Sequence, residues 1–313
     1  MQAGTVTIGS FTGHGGATRA PGSVAVPAMA TFVADDGEPL RVWRLGAGRP
    51  VILLHGLTCS HRDWSDAARS LATSHEVFAW EARAHGVREA SGVAEPTVSR
   101  MAQDLANLIE HFGLRNAVLV GHSMGGAVAL EYLRQFGSAR IGAVCLVDHS
   151  PRLIATREWR LGVRGGSLLA KCLRGAAALG ADVSGIALRL LGLASKSVPE
   201  ESNEAAAVRD ALARRNVRSL GHMMQSVLAA DHRELLARID VPVFAVFGGA
   251  SPLYGRVPLA RYYASVIANF RSVVYEEAGH SPHREMPGRF VADLLSFIEE
   301  AVSRTMHAAM RSA

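Results

Sequence analysis

Lysine is nearly absent from this 313-residue chain: only Lys171 and Lys196 occur, so arginine carries almost all of the positive charge. The arginines are scattered and the formal net charge is only +5. Nucleic-acid binders concentrate basic side chains on one face, so no nucleic-acid partner is expected. Cysteine is also scarce. Cys59, Cys145 and Cys172 show no CxxC or other metal-like spacing, and an odd count in a long chain reads as structural thiols in a reducing compartment. No apolar run approaches the roughly 18 residues of a membrane span. No basic segment followed by an apolar stretch opens the chain, so a secretory signal is not expected and a cytoplasmic location is. Charged residues make up 19% and hydrophobic residues 49%. That balance supports a sizeable core, and the length suits one large α/β domain with an insertion.

Residues 1–27 are rich in Gly, Ser, Thr and Ala with little periodicity, and read as a disordered tail. Strand-like and helix-like segments then alternate. Ala30–Val33 and Leu40–Leu45 read as strands joined by the Asp35-Asp36-Gly37 turn. Val51–Leu54, Glu76–Glu81, Ala117–Val120 and Ile141–Val147 read as further strands, with helices over Asp63–Ser74, Val98–Phe112 and Gly125–Phe136. Residues 151–238 lack a convincing strand and carry helical periodicity. Strands resume at Val241–Phe247 and Ser272–Tyr275, before a closing helix from Met286 to Val302. The pattern predicts a mostly parallel sheet flanked by helices, a core of residues 28–150 and 239–313, and a helical cap of residues 151–238.

Three clusters carry chemistry. Gly121-His122-Ser123-Met124-Gly125 follows an apolar strand and opens a helix. In this G-x-S-x-G context the serine sits on a strained strand-to-helix turn that lifts its hydroxyl above the sheet. His55-Gly56-Leu57 leaves an earlier buried strand. The backbone N–H groups of Leu57 and Met124 are therefore the expected oxyanion donors. Gly279-His280-Ser281-Pro282-His283 follows the last strand. A serine hydroxyl needs a base at neutral pH; His280 is preferred over His283 because Gly279 frees the local backbone and His283 lies against the next helix.

At these residues the chain resembles the α/β-hydrolase superfamily, in its lid-bearing esterase, haloperoxidase-like and C–C-hydrolase branch, over residues 30–302. Glu81-Ala82-Arg83-Ala84-His85-Gly86 is similar to the family's D-x-R-G-H-G turn, with Glu for Asp and Ala for Gly. Gly279-His280-Ser281-Pro282 with Glu285, Pro287 and Phe290 is similar to its G-H-x-P-x-x-E-x-P-x-x-F signature. The resemblance implies an eight-stranded, mostly parallel sheet with a helical cap, and a serine, acid, histidine order of triad residues.

The acid departs from that pattern. Most members place Asp in a G-x-x-D turn after the strand matched here by Val241–Phe247, and this chain reads Gly248-Gly249-Ala250-Ser251. Either the acid is lost or it has moved. The resemblance points to Asp148, at the end of Ile141–Val147, where members with a relocated acid carry it. Asp240 precedes its strand and Asp231 lies late in the insertion. In the cap, Trp159 either lines an acyl pocket or packs a helix on the core; Met223 and Trp64 have the same two readings, and His122 is a further lining candidate.

The expectation is a cofactor-free, metal-free serine hydrolase of a carboxylic ester, thioester or lactone, with Ser123, His280 and Asp148 as triad. Its partner is a small-molecule acyl substrate, and a homodimer is left open. A C–C bond hydrolase, an acyltransferase or a perhydrolase would use the same groups. A receptor that lost its chemistry is the rival from another class, resting on Ser251.

Overall fold

A computed structural model describes residues 27–85, 94–163 and 217–312. The N-terminal tail, Gly86 and the middle of the expected cap, residues 164–216, lie outside the described residues.

A hairpin opens the fold. β1 (Ala28–Val33) pairs antiparallel with β2 (Pro39–Gly46) across a turn in which Gly37 takes φ 85°. β3 (Arg49–Leu54), α1 (Ser65–Leu71), β4 (His75–Glu81), α2 (Val98–His111), β5 (Ala117–His122), α3 (Met124–Phe136) and β6 (Ile141–Val147) follow. The next described elements are α4 (Val217–Ala229), α5 (Arg233–Leu236), β7 (Val243–Gly248), α6 (Arg256–Val266), β8 (Phe270–Tyr275), α7 (Pro282–Glu285) and α8 (Pro287–Ser312).

The eight strands form one sheet in the order β1-β2-β4-β3-β5-β6-β7-β8. Every pairing from β4 to β8 is parallel, and only the β1–β2 and β2–β4 pairings are antiparallel. This is an α/β-hydrolase architecture. The central strands are buried on both faces, which is why Val51–Leu54 and Ala117–Val120 are continuous apolar runs rather than alternating ones. Alternate side chains still go to opposite layers. Ile52, Leu54 and Leu119 join the layer with α2, α3 and α6; Val51, Leu53, Val118 and Val120 join that with α1 and α8. In α2 the stripe Met101, Leu105, Leu108 and Ile109 is fully buried. At about 1.5–3 kcal/mol per such side chain, packing rather than propensity holds this helix.

From β3 the chain moves outward to β4, and from β5 it moves the other way to β6. The strand order therefore reverses between β3 and β5. In open α/β sheets the crevice at the carboxyl ends of such strands is where ligands bind.

Two element expectations change. The segment Asp63–Ser74, read as one helix, divides into a 3-10 turn, His61–Trp64, and α1. Ser60 starts the turn early by a capping box with Asp63. The second change is α6, which the sequence reading did not include. Its Pro258 lies in the first turn, where a backbone N–H has no intrahelical acceptor to lose. Among the described residues no helix is long and apolar enough to cross a membrane.

Candidate active site

The strand β5 delivers Ser123 to the switch point. Ser123 has φ 51° and ψ −114°, a left-handed backbone that costs a non-glycine residue about 1–3 kcal/mol and persists only where its surroundings impose it. Its N–H donates to the Val147 carbonyl at 3.1 Å, and its carbonyl accepts from Gly126 N–H at 2.9 Å as α3 begins. The flanking glycines are required by close approach. A Cβ on Gly121 would lie 2.4 Å from the Gly125 carbonyl oxygen, and one on Gly125 would lie 2.2 Å from the Leu54 oxygen. Gly126 leaves room for His149, whose ring would meet its Cβ at 2.7 Å. Burial pushes the His149 imidazole down to about 3, so it is neutral at working pH.

The turn after β3 is held by two histidines. His55 Nδ1 donates to the Gly56 carbonyl at 2.8 Å, and His55 Nε2 accepts from Ala82 N–H at 3.1 Å. A trans peptide points its C=O and N–H in opposite directions. Holding the Gly56 carbonyl therefore also aims the Leu57 N–H. One residue further, Thr58 takes φ 64° and its N–H donates to His85 Nε2 at 3.2 Å. Neither the Leu57 N–H nor the Met124 N–H meets an acceptor among the described residues. Arg83, beside this pair, is an internal strut: its guanidinium bonds both oxygens of buried Asp104 at 2.6 Å and also reaches Asp36.

The structure brings His280 and Asp148 together. His280 Nδ1 donates to Asp148 Oδ2 at 2.6 Å. Asp148 is 1% exposed and has φ 43°. Its Oδ1 accepts from Gly248 N–H at 3.1 Å, and its Oδ2 also accepts from the Ser251 hydroxyl at 2.6 Å. Ser251, the residue that the sequence reading set at the expected acid position, thus bonds the carboxylate of Asp148. The sequence reading named Ser251 only as a vacancy. Asp231 instead pairs with Arg152 and Arg233, remote from His280 in its bonding.

His122 is buried and donates from Nε2 to the His280 carbonyl at 2.8 Å. Burial, with His283 and His280 nearby, holds it well below the usual histidine range. His283 is also buried, against the Trp64 ring at 4.1 Å and the His122 ring at 4.6 Å, and neither of its ring nitrogens has a partner among the described residues. Trp64 and Met223 are both fully buried in the two core layers. Trp159 packs edge-on against Tyr262 and donates from Nε1 to the Arg152 carbonyl at 2.9 Å. The apolar group beside the turn after β3 is a different one: Met224 packs against Leu57, Leu153, Ile154 and Leu228. Helical spacing turns adjacent residues about 100° apart, so Met223 enters the core while Met224 faces the turn. Among the described residues no group of three or more His, Cys, Asp or Glu side chains could hold a metal ion.

A model of the Alpha/beta hydrolase family matches residues 51–294. A non-heme haloperoxidase of Rhodococcus erythropolis is 32% identical over 131 residues, covering 42% of this chain and 47% of that protein. The chain thus spans about half the length of that relative. A pimeloyl-[acyl-carrier protein] methyl ester esterase of Vibrio cholerae is 25% identical over 82% of this chain and 96% of its own length. Among solved structures, a putative aryl esterase from Burkholderia cenocepacia superposes with a TM-score of 0.73 at 27% identity, covering 88% of this chain and all of that one. An esterase from Exiguobacterium antarcticum superposes with a TM-score of 0.75 at 21% identity, covering 86% and 98%; at that identity it speaks for the fold.

Proposed function

The chain belongs to the Alpha/beta hydrolase family, and on that premise we propose that it is a serine hydrolase that cleaves a carboxylic ester, thioester or lactone through an acyl-enzyme. The observation that carries this reading is the 2.6 Å bond from His280 Nδ1 to a buried carboxylate, on the same crevice as a serine strained into a strand-to-helix turn.

That bond leaves the unprotonated Nε2 of His280 as the base. Nε2 takes the proton of Ser123 Oγ while the oxygen attacks the acyl carbon. The carbonyl oxygen becomes an oxyanion, to which the Leu57 and Met124 N–H groups donate; one such donor is worth about 3 kcal/mol of barrier. Asp148 fixes the tautomer and balances the imidazolium. Collapse expels the alcohol or thiol, protonated by His280. Water, deprotonated by the same nitrogen, then releases the acid and restores Ser123. Met224, Leu153 and Ile154 beside Leu57 suit an apolar acyl or alkyl group and exclude water from the intermediate. The scheme uses no cofactor. The named activities of the full-length esterase relatives favour ester cleavage. The haloperoxidase relatives favour one further reading on the same groups: hydrogen peroxide in place of water at the second step would release a peracid.

Ser251 at the usual acid position is the argument for a binding protein without chemistry, and the His280–Asp148 bond is the argument against it. A fluorophosphonate probe with wild type, Ser123→Ala and His280→Ala separates them. Rapid labelling and p-nitrophenyl ester turnover in wild type, both abolished in the variants with their melting temperatures retained, is the expected result. Unlabelled and inactive wild type, or an active Ser123→Ala, would sink the enzyme reading.

A further inference from the structure

Four successive residues, from Gly248 at the end of β7 to Ser251, lie between the proposed acid and the proposed base. Gly248 N–H donates to Asp148 Oδ1 at 3.1 Å. Gly249 N–H donates to the Tyr275 carbonyl at 2.7 Å, and Ala250 N–H donates to the Ala278 carbonyl at 2.8 Å. Ser251 Oγ donates to Asp148 Oδ2 at 2.6 Å. The loop thus holds the carboxylate with its first and last residues, and the segment leading to His280 with the two between them. Both glycines are needed for this closeness. A Cβ on Gly248 would stand 1.7 Å from the Gly279 carbonyl oxygen, and one on Gly249 would stand 2.3 Å from the Glu276 Cα.

The direction of the Ser251 bond is settled by its other neighbour. Leu253 N–H points at Ser251 Oγ, 3.4 Å away. The oxygen faces a donor on that side, so its own proton goes to the carboxylate. Asp148 Oδ2 then accepts two bonds of 2.6 Å, one from Ser251 and one from His280. Asp148 needs such fixing, because it is held in a left-handed backbone conformation that an L residue leaves readily when its restraints go.

We propose that Ser251 is a positioning residue of the hydrolytic site, holding the relocated carboxylate of Asp148 in line with His280 Nδ1. The inference rests on the serine-hydrolase reading above. Ser251 touches neither substrate nor Ser123 in this scheme; it acts through Asp148. Its loss leaves a less restrained carboxylate with more charge on the oxygen that faces His280. The first effect slows the chemistry; the second favours the imidazolium. The other ionisable groups around the pair are His122, His149, His283 and Tyr254, with Arg284 near His122 and His283 and Glu285 accepting from Gly279 N–H at 2.8 Å and Ser281 N–H at 3.1 Å on either side of His280. Burial lowers the pKa of the three histidines and raises that of the tyrosine, so the rings favour the neutral form and the phenol the protonated one.

The test is steady-state hydrolysis of a p-nitrophenyl ester by wild type, Ser251→Ala and Ser251→Thr from pH 5 to 9, with fluorophosphonate labelling in parallel. Hydrogen bonds to a charged acceptor are the strong ones, so Ser251→Ala should lose about tenfold or more in kcat with KM within twofold. Its acid limb should move to higher pH, and Ser251→Thr, which keeps the hydroxyl, should recover at least half of the lost kcat. Ser251→Cys, close in size but a weak donor, gives the same reading if the alanine variant loses the fold. Active wild type with Ser251→Ala unchanged in kcat and pH profile would overturn the proposal and leave the hydrolase reading intact. A threonine variant as slow as the alanine one would also overturn it. Wild type that neither labels nor turns over would remove both.

Discussion

Asp148→Asn is the substitution whose consequence the geometry specifies most closely. The variant changes no volume, so packing is not at issue. Gly248 N–H requires an acceptor at Oδ1, which forces the asparagine to turn its carbonyl that way and its NH2 toward Ser251 and His280. Ser251 Oγ can accept that donor. His280 Nδ1 can accept it only by giving up its own proton, which moves the ring to the Nε2–H tautomer. The nitrogen that should deprotonate Ser123 then carries a proton already. In the serine-protease triad the same aspartate-to-asparagine change costs about 10⁴-fold in kcat. A loss of about 10³- to 10⁴-fold is expected here, which is about 4–5.5 kcal/mol of barrier at 1.36 kcal/mol per decade. KM should change little, since Asp148 is buried away from substrate. Stopped-flow ester hydrolysis and the rate of fluorophosphonate labelling would both record it. A loss below tenfold, with the protein folded, would show that Asp148 does not control the histidine and would return the acid to another residue.

Three further outcomes follow from single features. In Asp148→Asn/Ser251→Asp the new carboxylate starts from a side chain already within 2.6 Å of the old one; kcat should recover at least tenfold over Asp148→Asn, and no recovery would mean that the 251 backbone cannot aim a carboxylate at His280. His283→Phe removes two buried ring nitrogens without partners from an aromatic stack with Trp64 and Phe290, and should stabilise by about 1–2 kcal/mol in urea unfolding at pH 7. The sign of its pH dependence is definite. Burial depresses the folded-state pKa of His283, with Arg284 and His280 adding to the effect, so the unfolded chain binds the proton first and native stability falls as pH drops below about 6.5. The phenylalanine variant should therefore lose about 1.4 kcal/mol per pH unit less than wild type between pH 6 and 5, and parallel stability curves would refute a buried neutral His283. Ala84 occupies φ 59°, where the resembling family carries Gly. A left-handed alanine costs about 1–2 kcal/mol against about 0.4–1 kcal/mol of extra chain entropy for glycine, so Ala84→Gly should raise stability by about 0.5–1 kcal/mol; a lower melting temperature would mean that the strain estimate is wrong.

The legible part of this molecule was its local chemistry. Continuous apolar runs such as Val51–Leu54 announced strands buried on both faces, and the spacing in Val98–His111 announced a helix with one buried stripe, because periodicity follows directly from backbone geometry. Gly121, Ser123 and Gly125 declared the strained turn, since the clashes that exclude a Cβ there arise where the strand, the helix and neighbouring strand β3 meet at one turn. The loop after the last strand that carries His280 was recognisable from its Gly279-His280-Ser281-Pro282 run. Helix α6 was not, because Pro258 reads as a breaker until its place in a first turn is known.

What only the tertiary structure decided is which groups meet. Asp148 and His280 stand 132 residues apart in the chain, and Ser251 is 103 residues from Asp148. A local sequence window does not contain such pairings, because they follow from strand order and from the close approach of two loops at Gly248 and Gly249. The same holds for Met223 and Met224, neighbours in sequence, of which one enters the core and the other faces Leu57. Sequence determined the strained turn at Ser123 and the loop after the last strand that carries His280, since those depend on bonds made within a few residues. The fold determined that Asp148 meets His280, Gly248 and Ser251, since the partners of a carboxylate are set by what the sheet places beside it.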